Sequence, residues 1–246
     1  MSPRFDDLEE IKIDNSPYTF SAAKLEDLSA SEYTLVSICV DQSASVLDFK
    51  KDLEKCISNI VASCINSPRA DNLLIRLSTF NYTINEIHGF KLLENCNPGD
   101  YDNCLHPSGC TALNDACINS IVSVAEYGKN LRAADFKANG IVFVLTDGCE
   151  NVSTSTVTMV KNEIEQVRKK EKLESLMTLL IGVNINDPNV SSALQLLRTE
   201  AGFDKYIEIQ DAAPKTLAKL AEFVSKSISS QSKAINTGKS GQIPTI

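Results

Sequence analysis

The sequence predicts an α/β fold: a doubly wound, mainly parallel sheet with helices on both faces and one antiparallel edge strand. Short apolar runs alternate with amphipathic segments along most of the chain, and a helix is the usual crossover between parallel strands. Several of those runs are apolar throughout, as expected for strands that are buried on both faces. A chain of 246 residues with 43% hydrophobic content suits one such domain with a buried core and is short for two.

The first half of the chain supplies two strands, a helix and a hairpin partner. Tyr33–Val40 is an apolar run rich in β-branched residues. A helix from about Val46 to Ile65 follows, because its apolar residues repeat at the spacing of one buried face. The strand Leu73–Phe80 comes next, and Thr83–Phe90 can pair with it as an antiparallel hairpin at the sheet edge.

The second half repeats the cycle. A loop rich in Asn, Pro and Gly, from Leu93 to Ser108, precedes a helix that opens at Thr111. The later predicted strands are Gly140–Leu145, Leu176–Val183 and Tyr206–Ile209, and the later helices are Thr156–Lys172, Val190–Ala201 and Pro214–Ile228.

The two ends of the chain lack this alternation. Residues 1–31 are expected to be an N-terminal extension, in which residues 11–13 and 18–20 flank Asp14–Pro17 as a candidate hairpin. Residues 231–246 are expected to be a flexible C-terminal tail, because Ser, Gln, Lys, Gly and Pro bury too little apolar area to offset the entropy of ordering. The folded domain is therefore expected to span residues 32–230.

Charge and hydropathy exclude several functional classes. A formal net charge of -8 argues against a nucleic-acid partner, which needs clustered Lys and Arg. No run approaches the roughly 20 apolar residues of a membrane span, and the acidic start does not fit a signal peptide. We therefore expect a cytoplasmic protein with no membrane or nucleic-acid partner, in which the four cysteines on predicted apolar faces are free thiols: Cys39, Cys56, Cys64 and Cys117.

Oxygen-bearing side chains follow the strands at the edge where doubly wound sheets bind ligands. Asp41, Ser43 and Ser45 follow the first strand, Thr111 opens a helix, and Asp147 follows a later strand. If the two strands are neighbours, the carboxylates of Asp41 and Asp147 meet and repel each other unless a cation lies between them. The sequence therefore predicts one divalent-cation site.

The predicted ligands are hydroxyl and carboxylate oxygens, without His or Cys. Such hard ligands favour Mg²⁺, with Mn²⁺ or Ca²⁺ as alternatives, over zinc or copper. If the hydroxyls and only one carboxylate bind directly, the ion keeps positive charge and an open, water-filled position. A partner protein could then present an Asp or Glu to that position.

Simpler interpretations exist for each loop. Ser45 and Asp48 fit a helix capping box, and Asp147-Gly148 fits an ordinary turn. Caps and turns are commoner than metal sites for any one loop, but they do not explain all three loops in this order. The looser cluster Cys96, Cys104, His106 and Cys110 lacks the close pairs of a zinc knuckle, so ordinary loop thiols are the leading interpretation and zinc is the alternative.

Five segments resemble the von Willebrand factor A (vWA) family. Residues 33–45 look like its first strand and DxSxS loop, residues 77–81 its second strand ending, residues 108–116 its threonine loop, residues 144–148 its last metal loop and residues 180–183 the strand after it. The resemblance covers residues 33–228 and implies a Rossmann-like vWA fold. It also implies an intact metal-ion-dependent adhesion site (MIDAS) at Asp41, Ser43, Ser45, Thr111 and Asp147, in a member closer to the intracellular bacterial, phage or ATPase-associated proteins than to secreted adhesive ones.

Three functions follow as hypotheses. The leading one is a metal-dependent protein-protein interaction module whose cation accepts an acidic side chain of a partner. The second is a structural subunit of a larger assembly with a silent metal site. The third, a Mg²⁺-dependent phosphoesterase, is disfavoured because such enzymes need a second Asp where this chain has Ser43, and neither His88 nor His106 is adjacent to that loop in the sequence. We therefore expect no enzymatic activity.

Overall fold

The computed structural model describes residues 8–13, 18–169, 172–235 and 241–245. The strands are β1 (Leu8–Lys12), β2 (Thr19–Ala23), β3 (Glu32–Asp41), β4 (Leu73–Phe80), β5 (Ile84–Leu92), β6 (Lys137–Thr146), β7 (Ser175–Val183) and β8 (Lys205–Ile209). The α-helices are α1 (Lys50–Ile65), α2 (Leu113–Ala133), α3 (Val157–Lys169), α4 (Pro188–Ala201) and α5 (Pro214–Lys233). None of the described helices combines the length and the apolar character needed to cross a membrane.

The strands form one 8-stranded sheet in the order β1-β2-β5-β4-β3-β6-β7-β8. From β4 through β3, β6 and β7 to β8, every neighbouring pair is parallel. β5 pairs antiparallel with β4, and the antiparallel β1–β2 hairpin extends the sheet beyond it. The predicted α/β fold, with a mainly parallel sheet and an antiparallel edge, is confirmed.

The winding direction reverses between β3 and β6. The chain adds β4 and β5 on one side of β3, then returns through α2 to β6 and continues outward to β7 and β8. Val40 pairs with Leu145, and Asp41 pairs with Phe80, so the carboxyl ends of β3, β4 and β6 lie at the same edge. The loops that carry the predicted ligands therefore leave the sheet side by side.

Two apolar layers sandwich the sheet. Side chains alternate along β3: Leu35 and Cys39 face a layer that includes α2, α3 and α4, whereas Val36, Ile38 and Val40 face a layer that includes α1 and α5. Helices therefore cover both faces, as the apolar runs of the strands require.

The C-terminal segment is more ordered than its composition indicates. α5 ends at Lys233 rather than at Ile228, and Gln231 is fully buried. The Gln231 side-chain Nε2 donates to the carbonyl of Gly140 at 3.0 Å, and its Oε1 accepts from the amide of Gly241 at 2.7 Å. Residues 231–233 of the predicted tail thus belong to α5, because composition does not show that one glutamine faces the sheet. Residues 236–240 and 246 of that tail lie outside the described residues.

The N-terminal hairpin is also part of the sheet. The predicted pairing is present as β1 and β2, and its predicted turn at residues 14–17 lies outside the described residues. β2 can approach β5 because residue 89 is glycine: a Cβ there would lie 1.9 Å from the carbonyl oxygen of Ser21. Glu86 on β5 also accepts hydrogen bonds from the amide and the hydroxyl of Ser21, at 2.9 and 2.5 Å.

Candidate metal centre

Four of the predicted ligand residues form one chain of hydrogen bonds at the ends of β3 and β6. Oδ1 of Asp41 accepts from the amide of Ser43 at 2.7 Å. The hydroxyl oxygens of Ser43 and Ser45 lie 3.2 Å apart, and the Ser45 hydroxyl donates to Oδ1 of Asp147 at 2.9 Å. Residues that are far apart in the sequence therefore meet at this edge because β3 and β6 are neighbours.

The fifth predicted ligand, Thr111, comes from the loop before α2. Its Oγ1 lies 3.8 Å from the position that a Cβ would take at Gly148, the residue after Asp147. Glycine at this position leaves the space beside the Thr111 hydroxyl open. The structure thus brings all five predicted residues to one place, and their binding of a metal remains a prediction.

The site has a buried floor and an open rim. Asp41, Ser43 and Thr111 are 1%, 3% and 4% exposed, whereas Ser45 is exposed and Asp147 is partly exposed. Ser45 and Asp147 therefore form the solvent-accessible part of the site.

Negative charge at this floor is poorly compensated. The pKa of Asp41 is raised to about 6. Burial is the main cause and the negative charge of Asp147 adds to it, whereas hydrogen bonds from the Thr146 hydroxyl and from Ser43 lower the pKa. Burial also raises the pKa of Asp147. The surrounding loops, residues 41–49, 105–112 and 147–156, contain no lysine or arginine. A cation between the carboxylates would supply the missing positive charge.

These residues fit a hard divalent cation. Their donors are carboxylate and hydroxyl oxygens, the ligand type that Mg²⁺, Mn²⁺ and Ca²⁺ prefer. Among the described residues, no three His, Cys, Asp or Glu side chains are grouped so that they could hold a metal. The serine and threonine hydroxyls are therefore an essential part of any metal site here.

Main-chain hydrogen bonds fasten the loops to one another. The amide of Ala44 donates to the carbonyl of Gly109 at 3.2 Å, and the amide of Ser108 donates to the carbonyl of Gln42 at 2.9 Å. Gly109 has a φ of 74°, and a Cβ there would lie 2.5 Å from the ring of Tyr82. The positive φ favours glycine at this position.

Sequence reasoning missed the residues that support the ligands. The Thr146 hydroxyl donates to Oδ2 of Asp41 at 2.6 Å, and the Asn81 Nδ2 donates to the Ser108 hydroxyl at 3.2 Å. Thr146 ends β6 and Asn81 follows β4, so a polar residue at a strand end was the available signal. Glu150 and Asn151, in the loop after β6, could not be identified from the sequence. The residues that tie them to the site are Asn114 on α2 and Thr111 in the loop before it, which are far away in the chain.

The capping-box interpretation does not describe the Ser45 loop. Residues 44–49 form a 3₁₀-helix before α1, and Ser43 at its start makes no side-chain capping bond. The Ser45 hydroxyl instead contacts Ser43 and Asp147. Asp147 therefore meets a second loop, which an ordinary turn does not require.

The zinc alternative is not supported by the positions of its residues. Cys96 and Cys104 belong to the buried layer that packs on α1, whereas His106 and Cys110 are exposed. His88 is also a buried structural residue, since burial lowers its pKa to about 3 and its Nε2 lies 3.1 Å from the Tyr101 hydroxyl. Cys96, Cys104 and His88 are therefore buried structural residues.

No family model and no curated protein matches the chain, but solved structures do. A mutant of the PilB minor pilin from Streptococcus sanguinis has a TM-score of 0.62 and 14% identity, over 87% of this chain and 65% of that chain. The mussel byssus protein PTMP1 with a zinc-occupied MIDAS motif has a TM-score of 0.54 and 18% identity, over 82% of this chain and 47% of that chain.

A third similar structure consists almost entirely of the matching domain. The vWF domain of the pilus tip protein Mfa5 from Porphyromonas gingivalis has a TM-score of 0.52 and 10% identity, over 81% of this chain and 97% of that chain. The chain spans less than two thirds of the pilin and about half of the byssus protein. At these identities the likeness establishes the architecture alone: the chain has a vWA-like fold.

Proposed function

We propose that this chain is a metal-dependent protein-binding module, in which a divalent cation accepts an Asp or Glu side chain of a partner protein. One observation carries the proposal: hydroxyls and carboxylates from separate loops converge over the buried Asp41, and no basic side chain in those loops balances their charge. The comparison structures support a role in protein interaction, because they include pilins, adhesins and a matrix protein.

The proposed ion is Mg²⁺, with Mn²⁺ or Ca²⁺ as alternatives. Asp41, Ser43, Ser45, Thr111 and Asp147 would hold it, directly or through water. When bound, the ion supplies positive charge and a coordination position for a carboxylate oxygen. The zinc-occupied motif of PTMP1 supports a divalent ion in general at such a site.

Exposed apolar side chains lie on or next to the loops that carry the candidate ligands. The exposed large apolar residues include Leu47 and Tyr82, at 64% and 63% exposure, and Val152 at 43%. Leu47 lies in the same loop as Ser45, Tyr82 contacts Gly109 beside Thr111, and Val152 lies in the loop after Asp147. The partner surface that fits this arrangement is an acidic side chain flanked by apolar residues.

A pull-down from the native source tests the proposal. Asp41→Ala is compared with the wild type, in Mg²⁺ and in chelator, and Asp48→Ala serves as a matched control because Asp48 is an exposed carboxylate of the same loop. We expect the wild type and Asp48→Ala to retain a partner in Mg²⁺ only, and Asp41→Ala to retain none. Equal capture in chelator, or by Asp41→Ala, would reject the proposal.

We expect Leu47→Ser to weaken partner binding by about tenfold, because the residues whose truncation costs more than about 1 kcal/mol cluster near the centre of an interface, and Leu47 lies beside the proposed ion site. Its affinity for Mn²⁺ should not change, since the substitution leaves the oxygen donors in place. Ile65→Ser is the control, because Ile65 is 41% exposed at the far end of α1. Titration of each variant against the captured partner measures the effect, and a loss shared by both variants would argue against a partner contact at Leu47.

A structural subunit of a larger assembly is the second candidate. The similar structures favour this role, because they include a minor pilin, a pilus adhesin and a byssal thread matrix protein. An assembly that survives chelator and the Asp41→Ala substitution would identify this role. Enzymatic activity is not part of the proposal, because Ser43 stands where a phosphoesterase needs its second Asp, and both ring nitrogens of His88 are engaged by Gly89 and Tyr101.

A further inference from the structure

Asn151 holds the main chain of Thr111 on both sides. The amide of Thr111 donates to Oδ1 of Asn151 at 2.9 Å, and the amide of Asn151 donates to the carbonyl of Thr111 at 3.1 Å. This reciprocal pair fixes Thr111 against the loop that begins at Asp147. Two predicted ligand residues from different loops are thereby tied together through a residue that is not itself a predicted ligand.

Glu150 fastens the same loop to the first turn of α2. Its Oε2 accepts from the amide of Asn114 at 2.8 Å, which caps an N–H group that the helix leaves unpaired. Its Oε1 accepts from the amides of Val152 and Ser153, at 2.8 and 2.6 Å, and so shapes the loop. Glu150 therefore fixes the backbone next to Asn151, so that both partners of the Asn151–Thr111 pair are held in place.

Asp115 completes the fastening from the helix side. Its carboxylate accepts from the amides of Thr154 and Ser155, at 2.9 and 3.0 Å. The loop after β6 and the start of α2 thus bind each other in both directions. Hydrogen bonds therefore connect the Asp147 loop both to Thr111 and to the first turn of α2.

We propose that Asn151 is a positioning residue that sets the Thr111 hydroxyl beside Asp147 at the metal site. This inference rests on the proposed metal-dependent function and adds to it a residue that touches no ion. Groups that orient metal ligands typically change metal affinity by about 10–100-fold when they are removed. The side-chain oxygen of Asn151 orients Thr111 in this way, because the Thr111 hydroxyl can point to the ion only if its backbone keeps this position.

A double-mutant cycle tests whether Asn151 acts through Thr111. The variants are Asn151→Ala, Thr111→Val and the double variant, and calorimetric titration with Mn²⁺ gives each dissociation constant. We expect Asn151→Ala to weaken Mn²⁺ binding by about tenfold, at the lower end of the range for such groups. The double variant should bind Mn²⁺ as Thr111→Val does, because Asn151 has nothing to position once the hydroxyl is gone.

Further variants separate positioning from general stability. Asn151→Asp keeps an acceptor for the Thr111 amide and should bind Mn²⁺ at least as tightly as the wild type. Asn162→Ala, on an exposed position of α3, is the control and should leave the affinity unchanged. Urea unfolding in chelator establishes that each variant is folded before the titration.

The outcomes distinguish this inference from the proposed function. If the wild type binds no Mn²⁺, the metal site is rejected and this inference falls with it. If the wild type binds Mn²⁺ and Asn151→Ala binds equally well, only the positioning role is rejected. Additive losses in the cycle also reject it, because they show that Asn151 acts independently of the Thr111 hydroxyl.

Discussion

Asp41→Asn is expected to lower the affinity for Mn²⁺ and Mg²⁺ by more than about 100-fold, while the metal-free variant is at least as stable as the wild type. Asp41 is 1% exposed, and burial together with the charge of Asp147 raises its pKa to about 6. An ionised carboxylate at this position therefore costs folding free energy when no cation is bound. Asparagine removes that cost and removes the charge that attracts the ion.

The hydrogen bonds around residue 41 can be kept in this variant. The asparagine oxygen can accept from the amide of Ser43, as Oδ1 of Asp41 does at 2.7 Å. Its NH₂ group can donate to the Thr146 hydroxyl, which can turn its own hydrogen to the carbonyl of Gly148 at 3.1 Å. Because the pKa of Asp41 is raised to about 6, we expect the variant to gain stability in chelator above that pH, by about 3 kcal/mol at most.

Urea unfolding with and without Mn²⁺ measures both effects. At a free Mn²⁺ concentration of about 100 times the wild-type dissociation constant, the wild type should gain about 2.7 kcal/mol, and Asp41→Asn should gain less than about 0.4 kcal/mol. Asp48→Asn changes an exposed carboxylate of the same loop and should behave as the wild type. A variant that keeps the metal-dependent gain would show that Asp41 is not part of a cation site.

The strands, and the meeting of the five candidate ligand residues at one edge of the sheet, could be predicted because their signals are local. The apolar run before Asp41 and the one before Asp147 each specify a buried strand, and a polar residue directly after such a strand lies at the ligand-binding edge. The positions of these residues relative to one another then follow from β3 and β6 being neighbours. Pattern and topology together were sufficient to place these residues side by side, and their binding of a metal stays a prediction.

The missed features all depend on contacts between distant segments. Gln231 is polar and lies in a polar segment, yet it is buried because its side chain reaches Gly140 on β6. Asn151 has the composition of a loop residue, and its role depends on Thr111, which precedes α2. No periodicity within either segment records such a contact, so these residues require the structure.

Arg76 is a charged residue in a strand whose apolar pattern predicts burial on both faces. It lies in the apolar strand β4 and is 1% exposed. Its Nε donates to Oε2 of Glu86 at 2.7 Å, and its Nη2 donates to Oδ1 of Asn119 at 3.0 Å. Because Glu86 also accepts from Ser21, this buried cation sits where β2, β5 and α2 meet.

We expect Arg76→Met to lower the free energy of unfolding by about 3 kcal/mol, the lower end of the cost of removing one partner of a buried ion pair, because the Glu86 side chain is 22% exposed. Methionine fills part of the space, but it leaves the Glu86 carboxylate without its cation and the Asn119 oxygen without its donor. Adding Glu86→Gln should recover part of the loss, because no uncompensated charge then remains. Urea unfolding of the three proteins measures these differences.

A surface pair provides the matched control, and the N-terminal hairpin provides a local readout. Arg69 is paired with Glu32, but its side chain is 31% exposed, so Arg69→Met should cost less than about 1 kcal/mol.

Among the described residues, the backbone register of β2 on β5 is the single pair Ala22 and Phe90. Arg76→Met should therefore also speed amide exchange in β1 and β2, since Glu86 no longer holds Ser21 firmly. Equal losses of unfolding free energy in Arg76→Met and Arg69→Met would show that the burial of Arg76 contributes little to stability. Unchanged amide exchange in β1 and β2 would show that Arg76 does not help to attach the hairpin.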